Sequence, residues 1–110
     1  GIVAYSKTSK IESLRIPEER LDALGAVSAE TAELLAVSVR DLAGTTYGLA
    51  ETGIAGPIQG RSPKPIGTAH IAFATPSGVE VTTVQIDGDR KKIQEGIARE
   101  TIAFAVRCLG

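Results

Sequence analysis

Between Ser28 and Gly44 the apolar residues Ala32, Leu35, Ala36, Val39, Leu42 and Ala43 recur at the spacing of one helical face. A helix with such a stripe is not stable alone in water, so something must cover it. Ser28 is a good N-cap, Glu30 lies near the positive end of the dipole, and Gly44 supplies the stop. Further on the period changes to two. Across Thr68 to Thr75 it places Ala69, Ile71 and Phe73 on one face of a strand. Thr75-Pro76-Ser77-Gly78 then has Pro second and Gly fourth, the preferences of a type I turn, and Val79 to Ile86 reads as the returning strand. A long amphipathic helix beside a hairpin requires layers.

The remaining elements are weaker. Ile2-Val3-Ala4-Tyr5 reads as a short buried strand, followed by a helix from Ser6 or Thr8 that Arg15-Ile16-Pro17 breaks. Residues 18–25 form another helical turn or two, closed by Gly25, and Thr45 to Ala50 reads as a strand. The last helix runs from Asp89 to Cys108, burying Ile93, Ile97, Phe104 and Cys108, with Ile102 and Leu109 widening the stripe. Strands mixed with long helices predict a layered α/β domain with a mixed sheet, including one antiparallel hairpin.

At 110 residues the chain fits one domain, which buries roughly 65% of its unfolded surface. With Tyr5, Tyr47, Phe73 and Phe104 as the only aromatics, the core has to be built from Ala, Ile, Leu and Val. A net charge of −1 offers no field that favours nucleic acid, and no apolar run approaches the roughly 20 residues that span a bilayer. Cys108 is alone, which excludes an internal disulfide and a multi-cysteine zinc site; its expected state is a buried, inert thiol in a reducing, cytoplasmic setting. The chain begins with Gly1, in the middle of an apolar run, so an N-terminal helix and strand segment is expected to be missing from it.

The densest backbone chemistry lies in TGIAGPIQGRSPKPIGTAH, residues 52–70, with four glycines and three prolines between two strand-like runs. Such a loop is a candidate ligand holder. Residues 55–62 nearly match a phosphate-binding P-loop. Arg61 replaces its lysine, though, and Pro63 and Pro65 prevent the helix that must start there, so a nucleotidase is rejected. Asp89-Arg90-Lys91-Lys92 opens the last helix with three cations where its dipole disfavours them, which suits either a solvated turn or a bound anion. Tyr5-Ser6-Lys7-Thr8-Ser9-Lys10 packs a phenol, hydroxyls and two lysines after the first strand. It is either a solvated turn or a site where burial and Lys7 together lower the pKa of Lys10. A single His70 on an alternating strand is more often structural than a base, and metal binding has no supporting cluster.

Y-S-x-x-x-K at Tyr5 to Lys10, G-A-V-S at Gly25 to Ser28, T-G-I-A-G-P at Thr52 to Pro57, K-P-I-G-T at Lys64 to Thr68 and G-D-R at Gly88 to Arg90 follow one another in fixed order. Over essentially its whole length the chain resembles the C-terminal domain of the competence-damage protein CinA, the nicotinamide-nucleotide amidase family. The resemblance implies one domain over residues 1–110, a three-layer α/β/α fold, and self-association, with a dimer expected. It implies hydrolysis of the ring carboxamide of nicotinamide mononucleotide to nicotinic acid mononucleotide and ammonia, without cofactor or metal. Lys10 and Tyr5 correspond to the catalytic lysine and tyrosine, with the lysine deprotonating a serine and the tyrosine assisting the leaving ammonia. Thr52, Gly53, Ala55 and Gly56 correspond to the pocket loop, and Arg90 to a phosphate ligand.

The chain also departs from the family. The serine belongs to an E-S-x-T-G-G motif that does not occur in these 110 residues. Lys7 stands in place of asparagine, Glu51 in place of an apolar residue, and Ile58-Gln59 in place of glycines. A catalytically silent nucleotide-binding or assembly module is therefore the alternative to an enzyme.

Overall fold

A computed structural model describes residues 1–4, 6–54 and 65–110. Seven elements follow in order: α1 (Lys7–Leu14), α2 (Glu18–Leu24), α3 (Ala29–Ala43), β1 (Gly48–Gly53), β2 (Thr68–Thr75), β3 (Gly78–Gln85) and α4 (Arg90–Leu109).

The helix ends follow their capping chemistry. Ser6 accepts from the Ser9 amide at the start of α1, Ser28 from the Thr31 amide at α3, and Asp89 from the Lys92 amide at α4. Each therefore satisfies one amide that the helix itself leaves unpaired. Gly44 ends α3 in the left-handed conformation at φ 65°. Arg15 closes α1 in the same region, φ 57°, and the turn delivers Ile16 into the core at 1% exposure.

The sheet order is β1-β2-β3, with both pairs antiparallel. β2 is central and buried on both faces, which is why its apolar content exceeds strict alternation. One face carries Ala72 and Ala74, against which Ala32 and Ala36 of α3 pack. Small residues on both sides let helix and sheet approach closely, which suits a core poor in aromatics. Leu14, Ile16 and Leu21 extend this layer around Leu35. The other face carries Ala69, Ile71 and Phe73, covered by Ile93, Ile97 and Phe104 of α4. The α/β class and the three layers thus follow directly from the two periodicities.

Three expectations are corrected. The sheet formed by the described residues is wholly antiparallel rather than mixed, because Ile2-Val3-Ala4 joins no ladder; Gly1, Ile2 and Val3 are exposed instead of buried. The first sheet strand lies at residues 48–53, three residues beyond the expected 45–50. On α4, Ile102 and Leu109 face outward at 65% and 59% exposure, so the buried stripe is narrower than the sequence suggests. Among the described residues no helix is long and apolar enough to cross a membrane.

Candidate functional site

A cavity of about 990 Å³ opens along the edge of β1 that is turned away from β2. All three layers contribute to it. From α1 come Lys10 and Leu14, from the α2–α3 connection Ala26 and Val27, and from β1 residues 49–53. From α4 come Arg90, Gln94, Ile97, Ala98, Thr101 and Ile102, which share one helical face.

Lys10 lies on the inner face of α1, four residues before the buried Leu14, and is itself only 8% exposed. Its Nζ donates to the Ala4 carbonyl at 3.1 Å. No described carboxylate pairs with it, and burial holds its pKa below the ordinary 10.5. The expectation that Lys7 contributes to this shift is overturned. Lys7 points away to Asp22 at 2.6 Å and Glu18 at 3.2 Å, and Asp22 followed by Glu18 raises its pKa.

Thr52 is 9% exposed, and its hydroxyl donates to the Ala26 carbonyl at 2.7 Å, tying β1 to the connection that leads into α3. Gly53 lines the cavity, yet its lack of a side chain has a packing cause: a Cβ there would lie 2.9 Å from that of Ala69. Of the three cations that open α4, only Arg90 reaches this cavity; Lys92 lines a separate shallow groove beside Asp87 and Glu95. Tyr5, Ala55 and Gly56, and the rejected P-loop match at 55–62, lie outside the described residues.

Thus Lys10, Thr52, Gly53 and Arg90 line one cavity although they are up to 80 positions apart in sequence. His70 is not in its wall; the ring is buried on β2 with Nδ1 2.8 Å from the Thr83 hydroxyl. Among the described residues no group of three or more His, Cys, Asp or Glu is placed to hold a metal. Cys108 is half-buried, and desolvation first, then Glu80, pushes its thiol up to about 11, so it stays protonated at neutral pH.

Sequence reasoning did not assign Glu51, Gln94 and Thr101 to the site. Glu51 is on β1, lines the cavity and has its pKa raised by burial. Gln94 and Thr101 fall four and eleven positions after Arg90 on α4, and that helical spacing was the available signal.

The CinA C-terminal domain family matches residues 1–109. A CinA-like protein of Frankia casuarinae is 47% identical over 94 residues, which make up 86% of this chain and 22% of that protein. A competence-damaged protein (CinA) superfamily protein from Enterobacter cloacae has the same fold at a TM-score of 0.93 and 30% identity, covering 100% of this chain and 65% of its own. The competence/damage inducible protein CihA from Agrobacterium tumefaciens matches at a TM-score of 0.87 and 29% identity, covering 100% and 68%. The chain therefore spans under a quarter of that Frankia relative and about two thirds of these solved chains.

Proposed function

The chain belongs to the CinA C-terminal domain family, and from that premise we propose that its cavity binds nicotinamide mononucleotide and serves hydrolysis of the ring carboxamide to a carboxylate and ammonia. The observation that carries this reading is one cavity lined by a buried lysine of lowered proton affinity and by an arginine in the first turn of a helix. Lys10, in its neutral form, is suited to take a proton from an attacking hydroxyl. Arg90, at the positive end of the α4 dipole, is suited to a phosphate. The resemblance adds Tyr5 and the glycine-rich motif at Thr52 to Pro57 as further candidate participants, on their place in the motif order alone.

A second reading, binding without turnover, rests on the cavity's hydroxyls. Among its described lining residues only Thr52 and Thr101 carry one, and these donate to the carbonyls of Ala26 and Ile97. Neither hydroxyl is hydrogen-bonded to Lys10, whose Nζ donates to the Ala4 carbonyl, so the described wall holds no activated nucleophile.

Ammonia release and thermal shift with nicotinamide mononucleotide separate the readings. An active amidase releases ammonia, and Lys10→Gln abolishes it. A binding module gives no ammonia but is stabilised by roughly 2.7 kcal/mol at 100 times the dissociation constant. Absence of both effects eliminates the nucleotide reading.

A further inference from the structure

The sheet has two margins. The cavity follows β1, and β3 forms the opposite edge; among the described residues only β2 pairs with it. β3 is eight residues long, GVEVTTVQ, and meets β2 residue for residue without a bulge. It contains no lysine, arginine or proline, and Glu80 is its only charge. Edge strands are commonly blunted by bulges, prolines or several charges that discourage further pairing. β1, GLAETG, is shorter and poor in strand formers by comparison. Just past β3, the Ile86 amide donates to the Gly67 carbonyl on the β2 side. Backbone groups alternate in direction along a strand, so Glu80, Thr82 and Val84 also face β2, while Val79, Val81, Thr83 and Gln85 direct theirs outward. Of these, Val81 is 36% exposed.

We propose that the β3 edge pairs with the β3 edge of a second copy, antiparallel about a two-fold axis at Thr82, so that two three-stranded sheets become one of six. The inference is independent of the nucleotide reading. An axis normal to the sheet keeps each face on its own side, so paired residues must point the same way. Centred on Thr82, the register sets Val81 against the partner's Thr83 and Val79 against the partner's Gln85. All four outward residues thereby find partners. A register centred on Val81 or Thr83 leaves Gln85 or Val79 opposite residues beyond the end of the strand. Glu80 falls opposite the partner's Val84, about 13 Å along the strand from the partner's Glu80, so the pairing brings no like charges together. Alongside β3, α4 sets Gly96 against Ile86 and Cys108 beside Glu80. The axis therefore turns the Glu80 end of one copy toward the groove beside Ile86 of the other, where Lys92 and Arg99 supply cations. Both cavities stay open at the far margins of the joined sheet.

Sedimentation equilibrium of the chain at micromolar concentrations should give a dimer. Val81→Pro removes only an outward amide, so the far-UV circular dichroism should stay native while the dissociation constant of the dimer rises by about tenfold or more. A covalent trap tests the register. In a Cys108→Ser background, Thr82→Cys sets two thiols across the axis in a non-hydrogen-bonded pair, where Cα atoms lie about 4.5 Å apart, within disulfide reach. Oxidation should give a cross-linked dimer with Thr82→Cys and not with Glu80→Cys. A monomeric wild type, a dimer that Val81→Pro leaves intact, or equal cross-linking of the two cysteine variants each overturns the proposal. Where Val81→Pro does not fold, the cross-linking comparison decides.

Discussion

Lys10 and Glu51 show what single side chains contribute to this cavity. Lys10 is buried, which lowers its pKa, whereas Glu51 stays exposed on β1 and is desolvated only enough to raise its pKa. Groups that make a fold less stable collect where binding needs them. For Lys10 the consequence for stability has a definite sign. The unfolded chain holds this proton up to the ordinary 10.5, while the folded chain releases it earlier. Between the two values the unfolded state binds more protons, so stability rises with pH across that window. Lys10→Met should therefore be more stable than the wild type at pH 7, by about 1 kcal/mol, or roughly 4–8 °C in Tm for a domain of this size. The gap should shrink as pH approaches 10.5. Denaturant melts of both proteins at pH 7 and pH 10 check this; a gap independent of pH would mean that Lys10 acts through packing instead of charge.

At the level of elements, the α3–β1 contact is the tightest fit in the layer arrangement. A Cβ on Gly48 would run into the Ala36 carbonyl oxygen and lie 2.9 Å from the Arg40 Cβ. Gly48→Ala should therefore destabilise by about 1–3 kcal/mol or more. Gly78→Ala, where nothing lies within 4 Å of the added carbon, should stay within about 0.5 kcal/mol. Chemical denaturation of the pair measures the difference.

The same contact explains which elements were legible in the sequence. α3, the hairpin and α4 could be read because each has a strong period and its own stop or turn chemistry: Ser28 and Gly44, Pro76 and Gly78, and Asp89. β1 was read three residues too early because its sequence, GLAETG, has the composition of a loop. What makes it a strand is pairing with β2 and the fit of Gly48 under α3, and both are tertiary facts. Ile2 to Ala4 had the opposite fault, with β-branched and apolar residues but no ladder to join. Within the site, Lys10 and Arg90 were visible through motif order. Glu51 stood out only as a departure, since a wall residue cannot be told from an edge charge until the cavity is known.

For the molecule as a whole, three antiparallel strands between two helical layers leave β1 at the margin, and the cavity follows that margin. Every layer therefore contributes to the wall, and the wall is joined to helices far from it in sequence. Thr52 is the clearest joint. Its hydroxyl holds the Ala26 carbonyl at 2.7 Å, and one residue away on the chain Gly25 accepts from the Thr31 hydroxyl, while Ser28 accepts from the Thr31 amide. A molecule settling against Thr52 thus pulls on the first turn of α3, and the Thr31 amide becomes a remote reporter of occupancy. Its NMR resonance should shift on titration with nicotinamide mononucleotide and stay still in Thr52→Val, although the titrant never touches residue 31.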